Sequence, residues 1–188
     1  MTKPASPIWT ILEERELLAC PPFLKVSAQT VELPGGQRVE DYYQLTLQDF
    51  ALVYAQAEDG RVLMLRSYRH GLREVCFNFP GGAIAPGEPP VASAQRELLE
   101  ETGFESSHWQ PLGGFLTNAN QRGAWAHFFK AVDCRQVAEA NSGDLEDSEL
   151  LLTPPDQVAA MLTAGGLASL SHVALLALAP HPLLARAR

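Results

Sequence analysis

The sequence predicts an α/β fold of the mixed-sheet α+β type, in which helices cover both faces of a sheet to give three α-β-α layers. Three observations lead to this prediction. β-prone runs alternate with only a few helical stretches, and Asp59-Gly60 joins two apolar runs as hairpin turns do. Residues 90–102 form a helical stretch with proline at its start and Gly103 at its end. The length of 188 residues suits one domain with a small appendage.

The first elements form an N-terminal β-hairpin. Residues 24–33 alternate partly between apolar and polar side chains, which is typical of a strand. Pro34-Gly35-Gly36 then makes a turn, and residues 38–47 return as a second strand. We therefore expect a β segment over residues 1–47, followed by the main domain over residues 48–188.

The main domain begins with a second hairpin, whose strands are Phe50 to Ala57 and Arg61 to Tyr68. A long loop rich in glycine and proline starts at Phe79 and precedes the helix at 90–102. The later elements are expected as strands at 110–116, 124–132 and 149–153, an acidic loop at 139–149, and helices at 155–164 and 169–178.

Composition and charge exclude several classes of protein. Hydrophobic residues make up 46% of the chain and charged residues 19%, as in a globular protein with a full core. The net charge of −8 argues against a broad nucleic-acid-binding face. No apolar run is long enough for a membrane helix. The cysteines at 20, 76 and 134 form no CxxC pair, so we expect reduced thiols and a cytoplasmic protein.

Three glutamates crowd one turn of the helix at 90–102. Helical spacing places Glu97, Glu100 and Glu101 together, while Val91, Ala94 and Leu98 form a stripe that can pack on the sheet. Like charges at this spacing cost roughly 0.2–0.5 kcal/mol per pair, and these lie at the helix end that disfavours anions. A solvated helix face is the ordinary explanation of such a cluster. A hard divalent cation would instead make the cluster favourable.

The spacing around this cluster resembles the Nudix box. Gly82 is followed by five residues and Glu88, then by seven residues and Arg96-Glu97-Leu98, and the pattern ends at Gly103-Phe104. Every defined position of Gly-x5-Glu-x7-Arg-Glu-U-x-Glu-Glu-x-Gly-U, with U a bulky apolar residue, is matched. So many fixed spacings are far more specific than a short glycine motif. The resemblance implies a Nudix fold and a metal-dependent hydrolase of diphosphate linkages.

The resemblance also implies a role for each residue of the box. Glu97, Glu100 and Glu101 are the implied ligands of Mg²⁺ or Mn²⁺, together with the backbone carbonyl of Gly81. Arg96 is expected to pair with a glutamate and hold it in place, since guanidinium binds carboxylate bidentately. Glu88 is expected to reach back from the loop toward the helix or the metal.

Segments outside the box are similar to the ADP-ribose pyrophosphatase branch of that family. They are "DYYQLTLQDFALVYAQAEDGRVLMLRSYRHG", "FPGG" and "EDSELLLTPPDQVAAMLTAGG". The branch implies a homodimer in which the N-terminal β segment contributes to the partner's substrate site. It places Arg66 and Arg69 near the substrate, although a rim charge or a surface ion pair is an equal alternative. Where the branch usually has glutamate before the proline turn, this chain has Asn78.

Two further candidate positions lie where this chain departs from the branch. The stretch "FLTNANQRGAWAHFF" lacks the branch's usual proline, so Asn118 and Arg122 are candidate substrate contacts, with a simple polar loop as the alternative. The general base is expected on the acidic late loop, where Glu149 is preferred and Glu146 is the alternative.

The expected activity is hydrolysis of ADP-ribose or a related nucleotide sugar to a nucleoside monophosphate and a sugar phosphate. One alternative is a Nudix hydrolase for dinucleoside polyphosphates, coenzyme A or oxidised nucleotides. Another is a non-catalytic nucleotide-binding regulator on the same fold. The intact box, with Arg96 and all three glutamates of the helix, argues against the regulator.

Overall fold

The computed structural model describes residues 8–141, 143 and 148–180. In these residues the strands are β1 Thr10–Cys20, β2 Leu24–Glu32, β3 Arg38–Leu47, β4 Phe50–Ala57, β5 Val62–Arg69, β6 Glu74–Asn78, β7 Gly81–Ala83, β8 Phe104–Glu105, β9 His108–Asn118, β10 Arg122–Gln136 and β11 Glu149–Thr153. The helices are α1 Pro90–Thr102, α2 Pro155–Thr163 and α3 Leu170–Leu178. The chain forms two compact units, one of Met1–Gln48 with Leu116–Trp125, the other of Asp49–Phe115 with Ala126–Arg188.

The first unit is built on an antiparallel meander of β1, β2 and β3. The predicted hairpin of residues 24–47 is confirmed, and Gly36 in its turn has a φ of 81°, which glycine adopts readily. β1 was not predicted. Every residue of β1 is exposed, so the strand lacks the alternation that a half-buried strand would show. The start of β10 pairs in parallel with β3 in this unit, through Arg122 and Gly123.

The second unit is built on a mixed sheet in the order β10-β4-β5-β11. β10 runs parallel to β4, whereas β4 with β5 and β5 with β11 are antiparallel. The predicted turn at 58–60 is confirmed, with Gly60 at a φ of 84°. The short strands β6 and β7 were not predicted, and β7 lies within the segment rich in glycine and proline. β6 pairs with β5 and β7 pairs with β4, so Phe79 and Pro80 connect a strand beside β5 to one beside β4. The carbonyl of Pro80 accepts a hydrogen bond from the backbone N–H of Val53 on β4.

Alternation along β4 creates two separate cores and confirms the three-layer fold. Ala51, Val53 and Ala55 pack with Ala94 and Leu98 of α1 on one face. On the other face, the buried cluster contains Leu52 and Tyr54 of β4, Val158 of α2 and Leu175 of α3. Because successive strand side chains point to opposite faces, one strand can hold helices on both sides of the sheet.

The helix α1 is anchored by its small and apolar face. Leu98 is fully buried, and burying a leucine side chain contributes about 2 kcal/mol. The predicted stripe was wrong at Val91, which lies in the first turn of the helix and is 39% exposed. Of the helices in the described ranges, none is long and apolar enough to cross a membrane.

Candidate active site

The local sequence determines where α1 begins and ends. Proline at the first position fixes a helical φ and lacks an N–H group that would have no partner there. Gly103 ends the helix in the left-handed conformation, with a φ of 74°, and its N–H donates to the carbonyl of Leu99. This well-defined end fixes the orientation of the last helical turn, which carries the glutamates.

Glu101 joins the helix to β7. It is only 8% exposed, although acidic side chains are rarely that buried without a partner. Its Oε2 accepts a hydrogen bond of 2.7 Å from the backbone N–H of Gly81. Bonds from N–H groups to carboxylates are among the stronger hydrogen bonds in proteins. The carboxylate therefore lies against the backbone that precedes the box glycine.

Glu97 occupies the space that a side chain at position 82 would need. A Cβ built on Gly82 would lie 2.5 Å from the carboxylate carbon and Oε1 of Glu97. Gly81 is restricted differently, because its φ of 149° favours glycine and its Cβ would collide with the backbone oxygen of Ala51. The two glycines therefore allow both carboxylates to approach the same short strand.

Arg96 connects the remaining carboxylates. Its Nε and Nη2 donate to the two oxygens of Glu88, at 3.0 and 3.1 Å. Its Nη1 donates to Oε1 of Glu97 at 2.8 Å and to Oε2 of Glu100 at 3.0 Å. Hydrogen bonding from Arg96 lowers the pKa of the Glu88 carboxyl, and bonding to Glu88 is also the main cause that raises the pKa of Arg96. The expected pairing of Arg96 with a glutamate is thus extended to three glutamates.

The donor set has the chemistry that a hard divalent cation prefers. Glu97 and Glu101 both lie against the Gly81–Gly82 backbone, and Glu100 shares Arg96 with Glu97. Within the described ranges, however, no three acidic, histidine or cysteine side chains are arranged as a ready-made metal cage. The carboxylates instead bond to the guanidinium and to a backbone N–H. Oxygen ligands on one helical turn with a glycine backbone opposite fit Mg²⁺ or Mn²⁺ in kind.

A cavity of about 350 Å³ opens beside these glycines. Its lining residues are Phe50, Leu52, Arg69, Gly71, Leu72, Asn78, Gly81, Gly82, Ala83, Ser169, Ser171 and His172. Arg69 had been predicted as a substrate contact, and it lies in this lining. Asn78 is fully buried, and its amide donates to the Ser67 hydroxyl and to the carbonyl of Cys76. The cavity thus places a cationic side chain and neutral polar groups next to the glutamate cluster.

His172 was not predicted as a site residue. Its Nδ1 accepts a hydrogen bond of 3.0 Å from the backbone N–H of Phe79, which is 93 positions away in the sequence. Burial, and secondarily the charge of Arg69, lower the pKa of His172 to about 4. The residue is therefore neutral at neutral pH. A single histidine in an apolar stretch carries no spacing signal, so only the three-dimensional contact identifies it.

The other predicted residues lie elsewhere. Arg66 and Glu149 face each other on β5 and β11, at 3.4 Å, and both are exposed. Neither belongs to the lining of the cavity described above. Asn118 and Arg122 belong to the first unit, where Asn118 accepts hydrogen bonds from the backbone of residues 120 and 121 and so stabilises its own turn. Glu146 is outside the described residues.

Comparisons with known proteins identify the family of the chain. A family model described as "NUDIX domain" matches residues 46–171. The CMP-5'-(N-acetyl-N-hydroxy-3-aminopropyl)phosphonate hydrolase of Streptomyces rubellomurinus is 29% identical over 149 residues, which cover 76% of this chain and 68% of that protein. The ADP-ribose pyrophosphatase of Bacillus subtilis is 27% identical over 120 residues, covering 63% of this chain and 64% of that one.

A solved structure of an ADP compounds hydrolase matches with a TM-score of 0.73 at 22% identity. The match covers 90% of this chain and 91% of that one. At this level of identity the likeness concerns the fold.

Proposed function

This chain belongs to the NUDIX domain family, and from that premise we propose that it hydrolyses the diphosphate linkage of ADP-ribose or a related nucleotide sugar. The products are a nucleoside monophosphate and a sugar phosphate. The proposal depends on one observation. Glu97 and Glu101 lie against the backbone of Gly81 and Gly82, and these two glycines line a cavity together with Arg69. Carboxylates for a cation and a guanidinium for phosphate are thus adjacent.

We propose Mg²⁺ or Mn²⁺ as the cofactor, held by Glu97, Glu100, Glu101 and the carbonyl of Gly81. When bound, such a cation neutralises phosphate charge and activates water. Arg96 orients Glu97 and Glu100 through bonds of 2.8 and 3.0 Å. The N–H of Gly81 donates to Glu101 and so connects α1 to β7. These bonds restrict the positions that the three carboxylates can adopt before a cation binds.

The substrate is proposed to lie in the cavity, with Arg69 at a phosphate oxygen. Arg66 remains a proposed substrate contact by family likeness. Asn118 and Arg122 remain proposed contacts on the stretch that departs from the branch. For the general base we retain Glu149, with Glu146 as the alternative. Glu149→Gln and Glu146→Gln can be compared by their pH profiles, because loss of the base removes the acidic limb of kcat. An unchanged acidic limb in both variants would exclude both residues.

A second substrate is favoured by one of the relatives. The hydrolase from Streptomyces rubellomurinus acts, by its name, on a CMP-linked phosphonate. A cytidine nucleotide joined to a phosphonate is therefore the second candidate, and it presents the same two adjacent phosphorus centres. The intact box, with Arg96 and the glutamates, supports an enzyme over a non-catalytic nucleotide-binding regulator.

The test is a substrate panel with product identification. Purified protein is incubated with Mg²⁺ or Mn²⁺ and with ADP-ribose, other nucleotide sugars, a CMP-linked phosphonate, dinucleoside polyphosphates, coenzyme A and oxidised nucleotides. We expect a nucleoside monophosphate from ADP-ribose, and no product in EDTA or with Glu101→Gln. If ADP-ribose and nucleotide sugars survive while another diphosphate is cleaved, the substrate assignment is wrong. If no diphosphate is cleaved with either metal, the enzyme assignment is wrong.

We further propose that the protein is a cytoplasmic homodimer in which the segment 1–47 takes part in the interface, with residues 48–188 forming the hydrolase domain. β1 supports this, since Ile11, Leu12, Leu17 and Leu18 are large apolar side chains exposed on one strand. The three free cysteines agree with a reducing compartment. Light scattering should give a molar mass twice that of the chain. The double variant Leu17→Ser, Leu18→Ser should have a lower molar mass. A monomeric wild-type protein would refute the dimer.

A further inference from the structure

The first turn of α3 forms part of the cavity wall. Ser169 precedes the helix as its N-cap, yet its hydroxyl makes no capping hydrogen bond. Ser169, Ser171 and His172 all line the cavity. The N-terminus of a helix carries partial positive charge on its first N–H groups. The structure therefore directs the favourable end of a helix, with two hydroxyl groups, toward the space beside Gly81 and Gly82.

The hydrogen bond at His172 determines which ring nitrogen carries a proton. Because the Phe79 N–H donates to Nδ1, that nitrogen is an acceptor, and the neutral ring has its proton on Nε2. The side chain is 8% exposed and belongs to the cavity lining. No hydrogen-bond partner for Nε2 occurs among the residues that the structure describes, and no polar side-chain atom among them is both buried and unsatisfied. Nε2–H is therefore a donor without a partner among the described residues, on a side chain that lines the cavity.

The charges around the cavity favour an anion. Of the described residues that line it, Arg69 is cationic and none is acidic, although the whole chain has a net charge of −8. Asn78 adds a neutral amide at the position where the related branch usually has glutamate. A cationic side chain, hydroxyl groups, a fixed imidazole N–H and a helix N-terminus together match a tetrahedral oxyanion.

We propose that the first turn of α3, through His172 Nε2–H and the Ser171 hydroxyl, forms an oxyanion subsite with Arg69 for the phosphoryl group of the substrate that water does not attack. This inference rests on the proposed function, and it assigns a role to the part of the cavity wall that α3 forms. His172 also fixes Phe79, two residues before Gly81, so the same side chain connects the subsite to the backbone that faces Glu101.

The key variant is His172→Asn. The asparagine amide oxygen can take the place of Nδ1 and accept the Phe79 N–H, but the side chain has no counterpart of Nε2–H at the cavity. Ser171→Ala removes one hydroxyl from a half-buried position and provides a second variant with little risk to folding. His108→Asn is the matched control, because His108 is exposed, pairs with Asp133 and lines a different cavity.

The first measurement is binding of inorganic phosphate to the metal-free protein in EDTA, by calorimetry. Loss of one hydrogen bond to a charged group should weaken binding about tenfold in His172→Asn and roughly threefold to tenfold in Ser171→Ala. His108→Asn should bind as the wild type does. If both cavity variants keep wild-type affinity, or if the wild type binds phosphate no better than it binds chloride, the subsite is refuted.

The second measurement tests whether the subsite binds a phosphoryl group of the diphosphate or an anionic group on the distal part of the substrate. With ADP-ribose, whose distal sugar is neutral, His172→Asn should raise KM about tenfold and change kcat less than about threefold. An effect confined to diphosphates with an additional anionic group would mean that the subsite binds the distal group, and the assignment would be overturned. If no diphosphate is hydrolysed but His172→Asn still weakens phosphate binding, the proposed function fails and the subsite stands.

Discussion

Replacing Gly82 by alanine tests whether the position of one carboxylate determines activity. Gly82 has no unusual φ, so alanine can adopt its backbone conformation. Its new methyl group would lie 2.5 Å from Oε1 of Glu97, whereas ordinary contacts begin near 3.4 Å. The carboxylate must therefore move by about 0.9 Å. The end of a flexible side chain can make this shift without disturbing the sheet.

The expected loss is large in activity and small in stability. A misplacement of about 1 Å in a reacting assembly can cost about 100-fold in rate. The shift also lengthens the 2.8 Å bond between Arg96 and Glu97, and such partly exposed pairs contribute about 1 kcal/mol or less. For a protein of this size, that corresponds to a fall in Tm of about 2–4 °C. Thus kcat should fall far more than stability does.

The assay is steady-state hydrolysis at saturating Mg²⁺, with thermal unfolding measured in parallel. Gly35→Ala is the matched control, because its methyl group would meet no atom within 4 Å. In a background of Glu97→Ala, adding Gly82→Ala should cause no further loss, since the displaced group is already absent. Wild-type kcat in a folded Gly82→Ala protein would refute the reasoning. If Gly82→Ala lowers kcat as much in the Glu97→Ala background as in the wild type, the methyl group does not act by displacing Glu97.

Three further predictions follow from the same contacts. Glu101→Gln should keep the fold, because the amide oxygen still accepts the Gly81 N–H, while hydrolysis falls at least about 100-fold; unfolding of the variant would contradict this. Arg96→Lys should lower Tm by a few degrees and reduce kcat/KM at least about tenfold, since one ammonium cannot reproduce the guanidinium fork; unchanged kinetics would show that the fork is dispensable. The pKa of His172 is about 4 in the folded protein and 6.5 ordinarily, so the neutral side chain contributes fully to the free energy of unfolding above pH 6.5. That free energy should fall by roughly 3 kcal/mol as the pH drops to 4. Urea unfolding at several pH values measures the fall, and His172→Asn should reduce the dependence on pH.

Elements with local signals were predictable from the sequence. The bounds of α1 follow from its proline and from Gly103, and β4 and β11 were predicted with the bounds that the structure has. The contact of Arg96 with Glu97 and the return of Glu88 toward the helix were also expected, because they are fixed by short spacings. In these cases, neighbours in the sequence supply most of the interactions that determine the structure.

Features that depend on distant contacts were not predictable. The exposed strand β1 contains Glu13, Glu14 and Glu16 and has no buried face, so no periodicity indicates it. His172 acquires its role from Phe79, which is remote in sequence. Glu149 was proposed as a base from its place on an acidic segment, whereas its partner in the structure, Arg66, is set by strand register. Register and packing, which a single sequence does not display, decided each of these outcomes.

The contacts of Arg96 bear on whether the protein needs a metal ion in order to fold. Because the guanidinium already serves as a counter-ion to Glu88, Glu97 and Glu100, helix α1 does not require a cation in order to tolerate its own charge. We therefore expect the protein to fold without a metal ion, unlike small domains organised around zinc. A cation held by these carboxylates would have to replace part of this internal ion pair. We therefore expect its affinity to be a difference between two sets of contacts.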